Sequence, residues 1–181
     1  MLYFIGLGSN LENSRFGSSK SLLEAAVRQL CGEIGTVVKK SQWYESEPIP
    51  VSDQPWFVNG VVALESELSP QALLLKTLEI EVEFGRVRTI ENAARTLDID
   101  IIACDQIVFS AEADDNDPAI TLPHPRMHER AFVLLPMAEV APDWVHPHTK
   151  KPISALIANL PPQNIRIVQS EEKDSDNPLA K

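Results

Sequence analysis

Cysteine is scarce in this chain. Cys31 and Cys104 are the only two in 181 residues, far apart and without the paired spacing of a zinc site. A reduced, cytoplasmic setting is the simplest reading. Long apolar runs are missing too, so no stretch is expected to cross a bilayer. The N-terminus lacks a basic region followed by an apolar stretch and a small-residue cleavage site, and no signal peptide is expected. Basic residues are outnumbered, 16 Lys and Arg against 26 Asp and Glu, for a formal net charge of −10. That balance argues against a nucleic-acid partner, which calls for a basic patch or stripe. It leaves room for a local basic pocket that takes nucleotide phosphates. A Walker-type Gly-Lys-Ser/Thr is absent, and Gly6-Leu7-Gly8-Ser9-Asn10-Leu11 lacks the third glycine of a dinucleotide fingerprint. Those glycines read as a strand-to-loop turn. What is present is a globular composition, 44% hydrophobic and 23% charged. It suits a single domain over residues 1–168, with a polar acidic tail over 169–181 expected to be disordered.

The most informative run is Arg95-Thr96-Leu97-Asp98-Ile99-Asp100-Ile101-Ile102. Acid and branched apolar residues alternate from Leu97 to Ile101, the period of a β-strand. Asp98 and Asp100 therefore project from one face, and Leu97, Ile99 and Ile101 pack the other. Two carboxylates side by side on a rigid strand repel each other unless a cation sits between them. Hard cations such as Mg²⁺ take oxygen ligands, commonly one or two carboxylates plus substrate phosphates. Arg95, Arg86 and Arg88 stand nearby in sequence, and guanidinium groups beside a metal are what phosphoryl transfer requires. A half-exposed strand with acids on its wet side is the competing reading of the pattern alone.

Around that strand the chain reads as follows. Residues 2–7 form a buried first strand, and residues 18–34 an amphipathic helix with Leu22, Leu23, Ala26, Val27 and Leu30 inward. A second strand is expected from Thr36 through Tyr44, ended by the prolines at 48 and 50. Residues 56–64 form a third. Ser69-Pro70 opens a second helix carrying Leu73, Leu74, Leu78 and Val82, with Glu81 on its apolar side. With the aspartate strand the order is β-α-β-β-α-β, an α+β class, the ferredoxin-like sandwich with helices on one face of an antiparallel sheet. A C-terminal helical extension follows: a polar loop over 110–118, a helix over about 129–140 that Pro136 should interrupt, and a short helix over 152–160.

Taken together, several runs resemble the 6-hydroxymethyl-7,8-dihydropterin pyrophosphokinase family of folate biosynthesis. They are Gly6-Leu7-Gly8-Ser9-Asn10-Leu11, Tyr44-Glu45-Ser46-Glu47-Pro48, Asp53-Gln54-Pro55 with Phe57 and Asn59, and Gly85-Arg86-Val87-Arg88. Arg95-Thr96-Leu97-Asp98-Ile99-Asp100 and Leu122-Pro123-His124-Pro125-Arg126-Met127 with Arg130-Ala131-Phe132 complete the set. The resemblance runs from residue 2 to about 160.

It implies transfer of pyrophosphate from the co-substrate ATP to the hydroxymethyl group of a reduced pterin, with release of AMP. Asp98 and Asp100 would hold two Mg²⁺ ions. Arg86 and Arg95 would act in catalysis with the two aspartates. Glu81, Arg86, Arg88, Arg95, His124 and Arg130 would face the nucleotide. Phe57 and Phe132 would sandwich the pterin, a flat heterocycle that gains dispersion and burial between two rings. Asn59 and backbone groups near Ser46, Glu47 and Ile49 would match its donor–acceptor edge. Small-molecule substrates, a monomer, and neither nucleic acid nor membrane are the expected partnerships.

One departure stands out. The family usually carries Gly-Pro-Arg-Thr-Leu-Asp, often after an aromatic residue, whereas this chain has Glu91-Asn92-Ala93-Ala94-Arg95. Proline fixes φ and glycine relaxes it, so the loop differs in both respects. That motivates an alternative, a divergent paralogue that binds a pterin or nucleotide with little turnover. A third reading is a ferredoxin-like interaction domain with no small ligand.

Overall fold

The computed structural model of this protein describes residues 1–86, 95–114 and 117–169. The expected tail from residue 170 onward and the departure at 91–94 lie outside the described residues. The strand β1 (Leu2–Ser9) is the axis of the sheet. It pairs antiparallel with β4 (Phe57–Glu65) on one side and β5 (Asp98–Cys104) on the other. β4 in turn pairs with β2 (Thr36–Lys40) and β3 (Tyr44–Ser46), and β3 with β8 (Ile165–Ile167). Every pairing in this six-stranded sheet is antiparallel.

The second strand expected from sequence is broken in two, for a local reason. Ser41 donates its N–H to the Val61 carbonyl at 2.9 Å and accepts the Val61 N–H on its hydroxyl at 3.0 Å. The side chain thus replaces one rung of the ladder. The Trp43 ring then lies over Gly60, where a Cβ would stand 2.6 Å from the indole carbons. Trp43 cannot easily retreat, because its N–H bonds the Glu24 carboxylate at 2.7 Å. Gly60→Ala should therefore cost about 1–3 kcal/mol through overpacking. That exceeds the roughly 0.4–1 kcal/mol that Ala returns by stiffening the unfolded chain. A urea midpoint equal to or above the wild-type value would contradict this.

α1 (Ser19–Glu33) and α2 (Pro70–Glu83) begin as the sequence indicates, each with a serine side chain capping the first turn: Ser18 accepts from Ser21 N–H, and Ser69 from Ala72 N–H. They cover one face of the sheet. Leu22, Leu23, Leu30, Leu73 and Ile80 pack there against Tyr3, Ile5, Leu7, Val62, Leu64, Leu97, Ile99 and Ile101. Val82 does not join them; it is 68% exposed, and Thr77, Ile80 and Glu81 form the buried side of α2 with Leu73.

The other face is covered too, which departs from a sandwich with helices on one side. α3 (Ala131–Val140) and α4 (Ile153–Ala158) pack Val133, Leu134, Met137, Ile153 and Leu156 against Phe4, Val61, Ala63 and Ile102. Pro136 lies inside α3 without ending it. Ser110 and Ala111, expected in a polar loop over 110–118, belong to β6 (Phe109–Ala111), which pairs antiparallel with β7 (Ile120–Leu122). Ile102 shares the face of Asp98 and Asp100 by simple alternation, and is apolar because it lies under α3. A register shift opposite Phe4 and Ile5 then turns Ala103 to that same face. α3 and α4 leave this end of the sheet uncovered, and the open floor becomes the site.

Candidate active site

In-register pairing sets the floor of the site. Asp98, Gly8, Asn59 and Tyr44 follow one another across β5, β1, β4 and β3, and Asp100 lies opposite Gly6. Residues directly opposite share a face, so the carboxylates are separated from the Asn59 amide by a strip without side chains. The strip must stay bare at Gly8, where a Cβ would stand 2.8 Å from Asn59 Oδ1. Above it lies a cavity of about 290 Å³.

Three groups of residues line that cavity. Asp98, Asp100 and Arg95 come from β5 and its approach. His124, Arg126, Glu129, Arg130 and Phe132 come from the segment leading into α3. Ser46, Glu47, Pro48, Ile49, Pro50, Ser52, Gln54, Phe57 and Asn59 come from β3, β4 and the loop between them. Of the positions singled out in the sequence, Arg95, Asp98, Asp100, His124, Arg130, Ser46, Glu47, Ile49, Phe57, Asn59 and Phe132 are thus brought together. Arg88 lies outside the described residues. Glu81 and Arg86 are not among the lining residues; Arg86 pairs with Asp98, and Glu81 with Arg86.

The aspartates are not equivalent. Asp98 Oδ1 accepts from Arg86 Nη1 at 2.8 Å, and Oδ2 from Arg95 Nη1 at 2.6 Å. Among the described residues Asp100 pairs only with the Arg130 guanidinium, at 3.7 Å, and its side chain is 39% exposed toward the cavity. Burial and the neighbouring Asp98 charge push the Asp100 carboxyl above its ordinary range. Arg86 has a second anion in Glu81, to which it donates directly. Glu81 is almost wholly buried, and its Oε1 also accepts the Ile99 N–H at 2.7 Å. Its Oε2 has no hydrogen-bond partner among the described residues. Glu81 therefore holds β5 and Arg86 in place and does not face the cavity.

Burial pushes the Glu81 carboxyl up to about 7, against the lowering effect of Ile99 N–H and Arg86. A raised carboxyl means that the native state binds the proton more tightly. Its contribution to stability is present at pH 4.5 and lost as pH rises to about 7, a span worth roughly 3 kcal/mol. Glu81→Gln keeps the Ile99 contact and removes the titration. Urea midpoints at pH 5 and pH 8 should fall in the wild type and stay nearly level in the variant; parallel declines would refute this assignment.

His124 is fixed by its backbone N–H, which donates to Ile102 O at 2.7 Å, and by Nδ1, which accepts the Arg126 N–H at 3.2 Å. Burial and the charges of Arg130 and Arg126 lower it to about 4, so at neutral pH the ring is uncharged. With Nδ1 accepting, the proton resides on Nε2, which is then a neutral donor. His128 is exposed beside Glu129, apart from this arrangement.

On the opposite wall, Asn59 is buried and donates Nδ2 to Ser46 Oγ at 2.8 Å. That bond fixes the amide plane. Phe57 and Phe132 line the cavity, and the Arg130 guanidinium lies 5.6 Å from the Phe132 ring centre. Glu47 is held from the C-terminal side, donating its N–H to Asn164 O at 3.1 Å and accepting from Asn164 Nδ2 at 2.7 Å. Sequence reasoning did not single out Gly8, Pro48, Pro50, Ser52, Gln54, Arg126 or Glu129 as site residues. All but Pro50, Ser52 and Glu129 lie within runs it had marked, so the signal was present at the level of segments.

A protein-family model for 7,8-dihydro-6-hydroxymethylpterin-pyrophosphokinase (HPPK) matches residues 4–142. The 2-amino-4-hydroxy-6-hydroxymethyldihydropteridine pyrophosphokinase of Methylorubrum extorquens is 38% identical over 167 residues, 92% of this chain and 98% of that protein. The protein of the same name from a Synechocystis strain is 40% identical over 154 residues, 84% of this chain and 73% of its own. The Schizosaccharomyces pombe folic acid synthesis protein fol1 is 36% identical over 92% of this chain, which spans 21% of that longer protein. Among solved structures, a triple mutant of the Plasmodium falciparum HPPK-DHPS superposes with a TM-score of 0.71 at 14% identity. It covers 87% of this chain, which spans 42% of that one, and the likeness shows the fold alone.

Proposed function

This chain belongs to the 7,8-dihydro-6-hydroxymethylpterin-pyrophosphokinase family, and on that premise we propose that it transfers pyrophosphate from ATP to 6-hydroxymethyl-7,8-dihydropterin, releasing AMP. The observation that carries the reading is the single cavity in which a paired-aspartate strand faces two phenylalanines and a fixed amide, with arginines between. The six-element core and its antiparallel order support classing it with ferredoxin-like sandwiches, the broken strand and doubly covered sheet being its own variations.

The donor set fits Mg²⁺. Asp98 and Asp100 offer hard oxygens, and no group of three or more His, Cys, Asp or Glu side chains that could hold a metal occurs among the described residues. A site with two protein carboxylates leaves the remaining positions to water and phosphate oxygens, the usual arrangement for Mg²⁺ on a nucleotide. When bound, two such ions would neutralise the phosphates and align the attacking oxygen. The protein's own part is positioning. Arg95 and Arg130 present guanidinium forks at the phosphate end of the cavity, suited to planar anionic groups. Arg86 can leave Asp98 and remain paired with Glu81. His124 offers Nε2–H as an uncharged donor. Phe57 and Phe132 supply the faces of a slot for a flat ring, and Asn59 supplies an acceptor whose orientation Ser46 fixes.

The test is direct. Mixing the protein with ATP, Mg²⁺ and hydroxymethyl-dihydropterin should release AMP in proportion to pterin consumed. Tight binding of both ligands without AMP would favour the paralogue reading, and no binding of either would favour the interaction domain.

A further inference from the structure

Gln163 and Asn164 lead into β8, and each holds a different wall of the cavity. Gln163 reaches the start of α3, where its Oε1 accepts the Ala131 N–H at 3.0 Å and its Nε2 donates to Glu129 O at 2.9 Å. Arg130, which precedes α3, gives that helix no side-chain cap. Gln163 supplies one from 32 residues away. The Ala131 N–H requires an acceptor and the Glu129 carbonyl a donor, so the amide can face only one way. Phe132 is the second residue of the helix held in this manner. Asn164, the next residue along, grips Glu47 by main chain and side chain at 3.1 and 2.7 Å. Within β8 itself, Arg166 bonds Glu45 Oε2 at 2.6 Å and lies 5.1 Å from the centre of the Trp56 ring, next to Phe57 in sequence.

We propose that Gln163 and Asn164 are positioning residues that set the width of the slot for the flat ring. One peptide unit joins the anchor of the Phe132 wall to the anchor of the Ser46–Glu47–Pro48 wall, so the separation of the two is fixed. A slot that has its proper width only part of the time binds its ligand more weakly by that fraction. The phosphate end is less dependent on this clamp. The Arg130 guanidinium ends a long, rotamer-rich side chain and can follow an anion through a small backbone shift, whereas the Phe132 ring moves with its main chain. The inference rests on the pyrophosphokinase reading, because it takes the flat ring to be the pterin.

Gln163→Leu keeps the bulk and removes both bonds, and Gln163→Glu keeps the acceptor for Ala131 N–H. The dissociation constant of hydroxymethyl-dihydropterin is measured by calorimetry with a non-hydrolysable ATP analogue and Mg²⁺ saturating throughout. That of the analogue is measured with Mg²⁺ alone. Gln163→Leu should weaken pterin binding about 3–20-fold, the span set by loss of one capping bond, and analogue binding by less than about twofold. Gln163→Glu should fall between Gln163→Leu and the wild type. Asn164→Asp sets a carboxylate against Glu47 and should weaken pterin binding about two- to fivefold at low salt. In about 1 M salt, where exposed charges are screened, that loss should vanish, a dependence that a merely structural role would not show. Should Gln163→Leu fail to fold, Asn164→Asp and its salt dependence decide. Pterin binding by Gln163→Leu within about twofold of the wild type, or equal losses for pterin and analogue, would overturn the clamp and leave the activity untouched. A wild type that binds no pterin would remove the activity reading, and this inference with it.

Discussion

Replacing Asp98 or Asp100 by Asn lowers kcat by at least about 10²–10³, the loss expected when a charge that organises the transition state is removed. The two variants differ in stability. Asp98 takes charge-assisted bonds from Arg86 and Arg95 at 2.8 and 2.6 Å, from side chains 16% and 33% exposed. Its neutral isostere leaves two guanidinium groups with weakened partners, and partial exposure holds the cost to about 1–2 kcal/mol. Among the described residues Asp100 has a single guanidinium at 3.7 Å, beyond hydrogen-bond length, and two like-charged carboxylates oppose each other on one strand. Asp100→Asn should therefore leave the melting temperature unchanged or slightly raised while losing the same activity. Steady-state kinetics and a thermal melt on the two proteins separate these outcomes. An Asp100→Asn protein with wild-type kcat would remove the paired-carboxylate argument.

The second large effect falls on Arg95. Its main chain is fixed by Asn10 and its guanidinium lies over the floor of the cavity, held among the described residues by Asp98. Once Asp98 is engaged elsewhere, this group is free to meet charge that develops on the transferred phosphates. Arg95→Ala should lower kcat about 10²–10³-fold and raise KM for ATP much less, the signature of an interaction made chiefly in the transition state. Arg95→Lys should recover little, because an ammonium is a point charge and not a planar fork. Arg86 is different in kind, for it also balances the buried Glu81. Removing Arg86 should cost stability as well as rate. If Arg95→Ala raised KM with kcat unchanged, Arg95 would be a binding group only.

The face of β5 was legible because its alternation is strict from Leu97 to Ile101 and its pairing with β1 respects it. The cap at Ser69 was equally plain, since serine before proline and an apolar periodic run has a local cause. Sequence said less wherever a long-range contact decided the outcome. The break between β2 and β3 depends on Ser41 meeting Val61 and on Trp43 lying over Gly60. The strand β8 forms only because β3 has a free edge to receive it. Val82 fits the helical period but is 68% exposed, and the partners that receive the inward-facing Glu81, Ile99 N–H and Arg86, come from outside its helix. In the site, segments were readable and roles were not. Glu81 was expected to face the nucleotide and instead supports β5 from behind. Asn10 looked like part of a turn, and its four hydrogen bonds, to residues 54, 55 and 95, appear only in the fold.

Mn²⁺ binding followed by electron paramagnetic resonance, with a non-hydrolysable ATP analogue present, probes the aspartate pair most directly. The wild type should take up Mn²⁺ with the nucleotide, and Asp98→Asn and Asp100→Asn should each weaken that uptake at least tenfold, as loss of one of two protein ligands requires. Uptake by both variants equal to that of the wild type would mean that the cation and its triphosphate rest elsewhere.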